Sequence, residues 1–535
     1  MTAHDSLNQA ISDSYDETPY TSYPFAHTAP AHLQSVARLY GLEVPAPSTA
    51  RVLELGCAAG GNLLPFAISN PQAHVVGIDL SPIQIAEGQA LIEKMGVRNL
   101  DLRAISITDI DASFGQFDYI ICHGVFSWVP VEVKAAILRI CRENLSPNGV
   151  ACISYNTYPG WKALDVLRDA MQLNSFGTPS PAEKLGRAKA VLTLMEQGLA
   201  SDNAMRLGLQ VAAKYLRQQS DHYLLHEYLE AVNSPCYFVE FLATAQEAGL
   251  AYVGDAQPES SIPSNFGDNV AAQVGALTQD APRELREQFL DFAIGRQFRQ
   301  SLLTHASRQP GILAQPEAGC FADMHFGLQV KPDDSADGNK EHGVRQYRAN
   351  NGRGIGSRDA IFIAIVERLR QAWPASVAFA DLMQDAKALA PQQPEDTLAV
   401  TVMIHLVSLL NIGSLWYRLE PLPYEKNLSS SPKLIPGAMA LLQAADSGDL
   451  QVGHYNLWHQ LVRPGKDAVI HFVARRLTGE VGQAELRTQL RDALFAGKLE
   501  HPDGLTTKGV RNLDQTAQDL LNRALIAMRV QGLIL

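Results

Sequence analysis

One stretch limits the possible folds of this chain more than any other. An apolar run carrying an acid, Val52-Leu53-Glu54-Leu55, passes directly into the small-residue turn Gly56-Cys57-Ala58-Ala59-Gly60-Gly61-Asn62, and a new apolar helical run follows at Leu63-Leu64-Pro65-Phe66-Ala67. This describes a buried strand, a tight loop and a helix. A loop of that kind turns backbone N–H groups toward a ligand.

The residues narrow the ligand. Dinucleotide folds use G-x-G-x-x-G so that a pyrophosphate can lie against bare backbone at a helix N-terminus. Here the matching positions are Gly56, Ala58 and Gly61, so the middle one carries a methyl group and close phosphate approach is less favourable. Glu54 would repel a pyrophosphate but suits an ammonium group. A second acid, Asp79, ends the next apolar run, Val75-Val76-Gly77-Ile78, roughly twenty residues after the loop, where a Rossmann-like fold places an acid on the ribose hydroxyls. An ammonium at one end and a nucleoside at the other describe S-adenosylmethionine. A blander reading has both acids merely ending strands, and the elements in register downstream count against it.

At 535 residues the chain is too long for one core, and about two to four domains are expected. A formal net charge of −12 disfavours nucleic acid or an anionic membrane as the main partner. The six cysteines are scattered without a C-x-x-C pair, so neither a disulfide framework nor a zinc site is indicated. The start of the chain is acidic and lacks the basic and apolar regions of a signal peptide, and the cytoplasm is the expected compartment.

Residues Met1 to Pro19 read as flexible. Tyr20-Thr21-Ser22-Tyr23-Pro24-Phe25-Ala26-His27 gathers aromatics without a period, as a strap over a sheet edge or a lid over a ligand. Ser81-Pro82-Ile83-Gln84 opens a helix, with Ser81 as N-cap and Gln84 closing a capping box, and the helix stops at Gly96. Strands follow at Asn99 to Ala104, Phe117 to His123 and Val150 to Tyr155, separated by the helix Val131 to Leu145 and a Pro147-Asn148-Gly149 turn. Ligands in open parallel sheets lie beyond the carboxyl ends of strands, which places His123, Phe126 and Trp128 beside the cofactor. The remainder is mainly helical. Asp221 to Glu230 contains His226 and Glu227, but Glu230 stands where H-E-x-x-H needs its second histidine, so no metal is expected there. Gln329 to Ser357 is unperiodic and polar, a linker or mobile loop. Beyond it, helices followed by short apolar strands suggest winged-helix-like modules, without the basic recognition helix that DNA would require.

The run from Tyr20 through Trp161 resembles class I S-adenosylmethionine-dependent methyltransferases. More narrowly, Tyr20-Thr21-Ser22-Tyr23-Pro24, His123-Gly124-Val125-Phe126-Ser127-Trp128-Val129-Pro130 and Ser154-Tyr155-Asn156-Thr157-Tyr158-Pro159-Gly160-Trp161 resemble the bacterial subgroup with a methyltransferase regulatory domain, of which rickettsial protein-lysine methyltransferases are members. The strings Asp221 to Glu230, Asn233 to Phe238 and Phe298 to Leu303 look like parts of that regulatory domain.

The expected fold is therefore α/β: a Rossmann-like methyltransferase domain at 1–160 with an N-terminal lid, a helical insertion and regulatory domain at 161–328, the linker at 329–357 and a mainly helical domain at 358–535. Glu54 is expected to hold the methionyl ammonium, and the Gly56, Cys57, Ala58 and Gly60 backbone its carboxylate. Asp79 should take the ribose, with Asn62, Leu80, Ser106, Ile107 and His123 also at the cofactor. His123, Tyr20 and Tyr158 are the candidates for moving a proton; Tyr23, Trp128, Tyr155, Asn156 and Trp161 are expected around the acceptor. That acceptor is a protein lysine, or else a small molecule; a cofactor-binding scaffold without turnover, and assembly as a homodimer, are further options.

Overall fold

Parallel strands buried on both faces need mostly apolar residues, which the three central runs supply, while the edge run Leu100-Asp101-Leu102-Arg103-Ala104 alternates and is exposed at its end. Strands β1 (Arg51–Leu55), β2 (His74–Asp79), β3 (Leu100–Ala104) and β4 (Phe117–Cys122) pair in parallel, with Val52 opposite both Val75 and Tyr119. β5 (Leu145–Asn156) continues the parallel set beside β4. It begins five residues earlier than the sequence suggests, because Pro147–Gly149 is absorbed as an irregularity in the pairing. β6 (Leu250–Asp255) and β7 (Phe298–His305) complete a seven-stranded sheet of order β3-β2-β1-β4-β5-β7-β6, with β7 antiparallel to both neighbours. The strand order reverses between β1 and β4, and the crevice at that switch point is where such sheets bind ligands.

The computed structural model describes residues 21–178, 180–230, 232–333, 344–447, 452–464, 467–500 and 512–535. The segment expected to be flexible, 1–19, and the candidate Tyr20 lie outside the described residues.

Helices α1 (Pro30–Leu39), α2 (Leu64–Ser69), α3 (Pro82–Met95) and α4 (Val131–Glu143) flank the sheet. An insertion follows β5: α5 (Trp161–Ser175), α6 (Pro181–Gln197), α7 (Arg206–Arg217) and α8 (Asp221–Tyr228). Next come α9 (Phe238–Glu247), α10 (Asp268–Leu277) and α11 (Arg283–Ile294). The buried Arg299 of β7 donates to Asp291 Oδ2 at 2.8 Å and Glu287 Oε2 at 3.0 Å, which fastens α11 to the added edge of the sheet.

Alternation along the strands sends side chains into two cores. Val52, Val75 and Ile121 join one that continues through Leu33 into Phe326, Leu406 and Leu521, so the C-terminal half shares a core with the sheet. Leu53, Val76 and Ile120 face the other, with Ile137 and Phe241. The insertion has its own core around Trp161, Leu167, Leu192 and Leu216.

Of the segment read as a linker, 329–357, the described residues 329–333 and 344–357 carry strands. β9 (Val330–Pro332), β10 (Arg345–Ala349) and β11 (Gly354–Ser357) form an antiparallel sheet, with Tyr347, Ala349 and Ile355 buried beneath its polar face. Short strands with only alternate residues buried leave too few apolar positions to be noticed in sequence. Beyond it lie α12 (Ala360–Ala372), α13 (Phe379–Leu389), α14 (Glu395–Asn411), α15 (Ala438–Ser447), α16 (Ala468–Ala474), α17 (Gln483–Phe495) and α18 (Leu513–Val530). Strands β8 (His325–Leu328), β12 (Val377–Ala378) and β13 (Leu415–Arg418) pair antiparallel among them, the alternation of helix and short strand expected there. Four cysteines are buried free thiols, and Cys236 and Cys320 are half-buried. Among the described residues no helix is long and apolar enough to cross a membrane.

Candidate functional site

The loop after β1 is held by its neighbours before any ligand is considered. Gly56 and Cys57 donate their N–H groups to Ile78 O, at 2.8 and 2.9 Å. Ala58, at φ 49°, occupies the left-handed region that a side chain rarely adopts. That conformation points its N–H at Asp79 Oδ2, 2.8 Å away. The other oxygen, Asp79 Oδ1, accepts from Ser81 N at 3.0 Å. A capping box would have given that N–H to the Gln84 side chain. Ser81 Oγ does accept from Gln84 N, but the Gln84 side chain is released: its Nε2 is buried without a hydrogen-bond partner among the described residues, and Gln84 lines the cavity beside Asp79.

Glu54 lies at the floor, 3% exposed. Its Oε1 accepts from Asn62 Nδ2 at 2.7 Å, and its Oε2 is buried with no hydrogen-bond partner among the described residues. Burial raises its carboxyl to about 8, against the hydrogen bond from Asn62. Leaving such an oxygen unsatisfied costs about 1–3 kcal/mol, more if charged. An ammonium group would remove that cost and favour the carboxylate. With Asp79 beside the loop and Gln84 offering an unpaired amide, these residues fit S-adenosylmethionine.

Asn62 ties three parts of the chain together. Its Oδ1 accepts from Phe25 N at 2.9 Å, and His459 Nε2 stands 3.0 Å from the same oxygen. Since Phe25 N is an obligate donor, that atom is the amide oxygen, and His459 donates from Nε2. His459 is itself at φ 61°, and burial lowers its pKa to about 4, so it is neutral near pH 7. The strap at residues 22–28 is clamped between this segment and the loop. Gly61 N donates to Ser22 Oγ at 2.8 Å and Gly453 N to Ser22 O at 2.8 Å, while a Cβ at Gly61 would lie 2.3 Å from Ser22 O. Only glycine allows that crossing.

Above the loop is a cavity of about 840 Å³. Tyr23, Glu54, Gly56, Cys57, Ala58, Asn62, Asp79, Leu80, Ser106, Ile107, His123, Trp128, Asn156 and Trp161 all line it. Three expected residues do not. Gly60 faces Leu102. Tyr155 is 1% exposed, donates or accepts at Ser301 Oγ (2.9 Å) and stacks on Phe241 at 4.1 Å. It points into the core because its neighbour Ser154, on the opposite face of β5, takes the Gly124 N–H at 2.8 Å. Tyr158 donates to Asp165 Oδ2 at 2.9 Å beneath the Lys162 ammonium, outside the cavity lining. Phe126 is likewise core, edge-on to Phe241. His123 packs against Phe25 with ring centroids 4.1 Å apart, and burial lowers its pKa to about 4.

Sequence reasoning missed the far wall. Tyr215 from α7 and Tyr223, Glu227 and Tyr228 from α8 close it, with Tyr228 stacked on Trp161 at 5.8 Å and Trp128 edge-on to Trp161 at 6.3 Å. Among the described residues no lysine or arginine lines the cavity. The pair His226 and Glu230, 3.3 Å apart, replaces the metal motif considered above.

With that geometry in hand, the likeness to known proteins is informative. A family described as "Methyltransferase domain" matches residues 47–196, and one described as "Predicted methyltransferase regulatory domain" matches residues 220–305. An uncharacterized protein of Rickettsia prowazekii, RP789, is 43% identical over 292 residues, 54% of this chain and 52% of its own length, so this chain spans about half of it. A second from the same organism, RP028, is 41% identical over 235 residues, 44% of this chain and 94% of its own length. The structure of PKMT2 from Rickettsia typhi in complex with AdoHcy superposes with a TM-score of 0.83 at 27% identity, covering 96% of this chain and 100% of that one.

Proposed function

We propose that this chain, which belongs to the class I S-adenosylmethionine-dependent methyltransferases carrying a methyltransferase regulatory domain, methylates lysine side chains of proteins. Its cofactor is S-adenosylmethionine, in keeping with the AdoHcy bound by PKMT2. When bound, the cofactor supplies an electrophilic methyl group on a sulfonium sulfur.

The chain's own residues supply alignment, dehydration and a place for charge. Glu54 would hold the methionyl ammonium and the Gly56–Ala58 backbone its carboxylate. Asp79, with Gln84 beside it, would take the ribose, and Ser106 and Ile107 would border the adenine. His123, held neutral by burial, is too weak a base to keep a proton taken from an alkylammonium. It offers a flat uncharged wall, with Tyr23 and Phe25 from the strap beside it.

One observation carries the acceptor: among the described residues the half of the cavity beyond the loop is walled by Trp128, Trp161, Tyr215, Tyr223 and Tyr228, with no lysine or arginine on it. Aromatic faces stabilise a cation by about 0.5–2 kcal/mol each. An anionic acceptor would meet no lysine or arginine among the described residues here, whereas the long apolar stem and ammonium of lysine match both features. A small-molecule amine is the second reading, because about 840 Å³ also falls in the size range of small-ligand sites. Incubation with methyl-labelled S-adenosylmethionine and bacterial lysate, followed by separation by size and amino-acid hydrolysis, distinguishes them. Label recovered as methyl-lysine from protein is expected; label found only in small metabolites would contradict the protein acceptor.

A further inference from the structure

Among the described residues three carboxylates line the cavity, and two have a role at the proposed cofactor end: Glu54, held by Asn62 with one oxygen left for an ammonium group, and Asp79, held by the Ala58 and Ser81 N–H groups. The third, Glu227, stands on α8 one turn after Tyr223, so the two share a helix face, and Tyr228 follows it against Trp161. It is half-buried, and no hydrogen bond or ion pair holds its carboxylate among the described residues.

Among the described residues little beyond the pull of the adjacent His226 rewards an acid at this position. It lies in the last turn of α8, where the helix dipole is negative and repels a carboxylate. Burying it among aromatic rings without a partner is unfavourable as well. Burial raises its carboxyl to about 7, against the pull of His226, and its charge joins burial in pushing the Tyr223 and Tyr228 hydroxyls up. Such a group is poorly placed for stability and well placed to meet a cation entering between Trp161 and Tyr223.

We propose that Glu227 is the acceptor-side anchor of the cavity, pairing with the protonated amine of the methyl acceptor and taking its proton. This rests on the amine-methylating reading above. The N–H bond breaks with the proton passing to a Glu227 oxygen and the electron pair staying on nitrogen. That pair forms the new N–C bond as the methyl carbon–sulfur bond breaks toward sulfur, and the proton leaves Glu227 for water before the next turnover. A carboxyl held near neutrality accepts a proton more readily than an ordinary one. The chemical class of acceptor is thereby a primary alkylamine rather than an alcohol, phenol or acid.

The test is calorimetric titration of n-hexylamine, and separately of 1-hexanol, into the full chain saturated with AdoHcy, for the wild type, Glu227→Gln and Glu227→Asp. The expected result is hexylamine bound about tenfold or more weakly by Glu227→Gln, with partial recovery in Glu227→Asp. Hexanol should bind the three proteins alike, and AdoHcy affinity should stay within about twofold, which shows the variants are folded. Equal hexylamine affinity in wild type and Glu227→Gln, or hexanol bound better than hexylamine by the wild type, overturns the assignment. If the wild type fails to take up AdoHcy, the cofactor reading falls first, and this proposal with it.

Discussion

The proposed cofactor end of the cavity hangs from the carboxyl ends of β1 and β2, whereas the proposed acceptor end is assembled largely from the faces of α5, α7 and α8 in the insertion. At the first, Asp79 and Glu54 are fixed by hydrogen bonds of 2.7 to 3.0 Å from neighbours within thirty residues. At the second, Glu227 has no such bond among the described residues, and the walls include rings held by stacking. A preorganised charge site suits a cofactor whose amino-acid and ribose portions are the same before and after methyl transfer, and a softer aromatic chamber suits an acceptor that enters as a cation and leaves methylated.

The sharpest way to break this contrast is to alter one end and measure both. Glu54→Gln should raise the AdoHcy dissociation constant about 100-fold, the scale of a lost buried charge pair, while binding of 5′-methylthioadenosine, which lacks the amino-acid portion, changes little. Calorimetry with both ligands checks it; equal losses would mean Glu54 only supports the fold. Trp128→Ala at the other end should lower kcat/KM about tenfold with AdoHcy affinity within about twofold, consistent with a lost cation–π wall. A matching loss of AdoHcy affinity would erase the division between the two ends.

A smaller effect tests how far the cofactor end reaches. His459 comes from the C-terminal half, yet it meets the Asn62 oxygen and through that amide the Glu54 carboxylate. His459→Ala should weaken AdoHcy about three- to tenfold, on the scale of one buried hydrogen bond, and His459→Gln should restore part of it. Unchanged affinity would confine the cofactor end to the sheet and strap.

The smallest expected effect is on pH. His27 is lowered to about 3, and His32, His123 and His459 to about 4, chiefly by burial. In the unfolded chain each titrates near 6.5, so the unfolded state binds more protons below that pH. The stability gained by keeping them neutral is complete above about pH 6.5 and is lost as pH falls toward 4. Glu54, raised to about 8, acts oppositely: its contribution is full below the ordinary carboxylate range and is lost as pH rises through 8. Thermal unfolding followed from pH 7 to 4 should show a falling midpoint, and a flat profile would contradict the buried neutral histidines.

The contrast also explains what could be read without a structure. Glu54, the glycine turn and Asp79 lie within one βαβ unit, where spacing alone places them, and strand-end loops carry Trp128, Asn156 and Trp161 to the same rim. Tyr155 misleads because facing the cavity or the core depends on strand register, which the sequence leaves open by one residue. Gln84 looks like a capping residue until Asp79 takes the N–H it would have used. Glu227 and Tyr223 stand in the string Asp221 to Glu230, but nothing local says that it forms a helix packed across the strand ends. His459 is 397 residues from its partner in a loop without a period.

The central claim is that Glu54 receives the cofactor's ammonium, and calorimetric titration of AdoHcy at pH 7 in buffers of different ionisation heat tests it most directly. With its carboxyl raised to about 8 before binding, Glu54 should give up close to one proton as the ion pair forms, and Glu54→Gln should release none. Buffer-independent heat in the wild type, or equal proton release by Glu54→Gln, would contradict it.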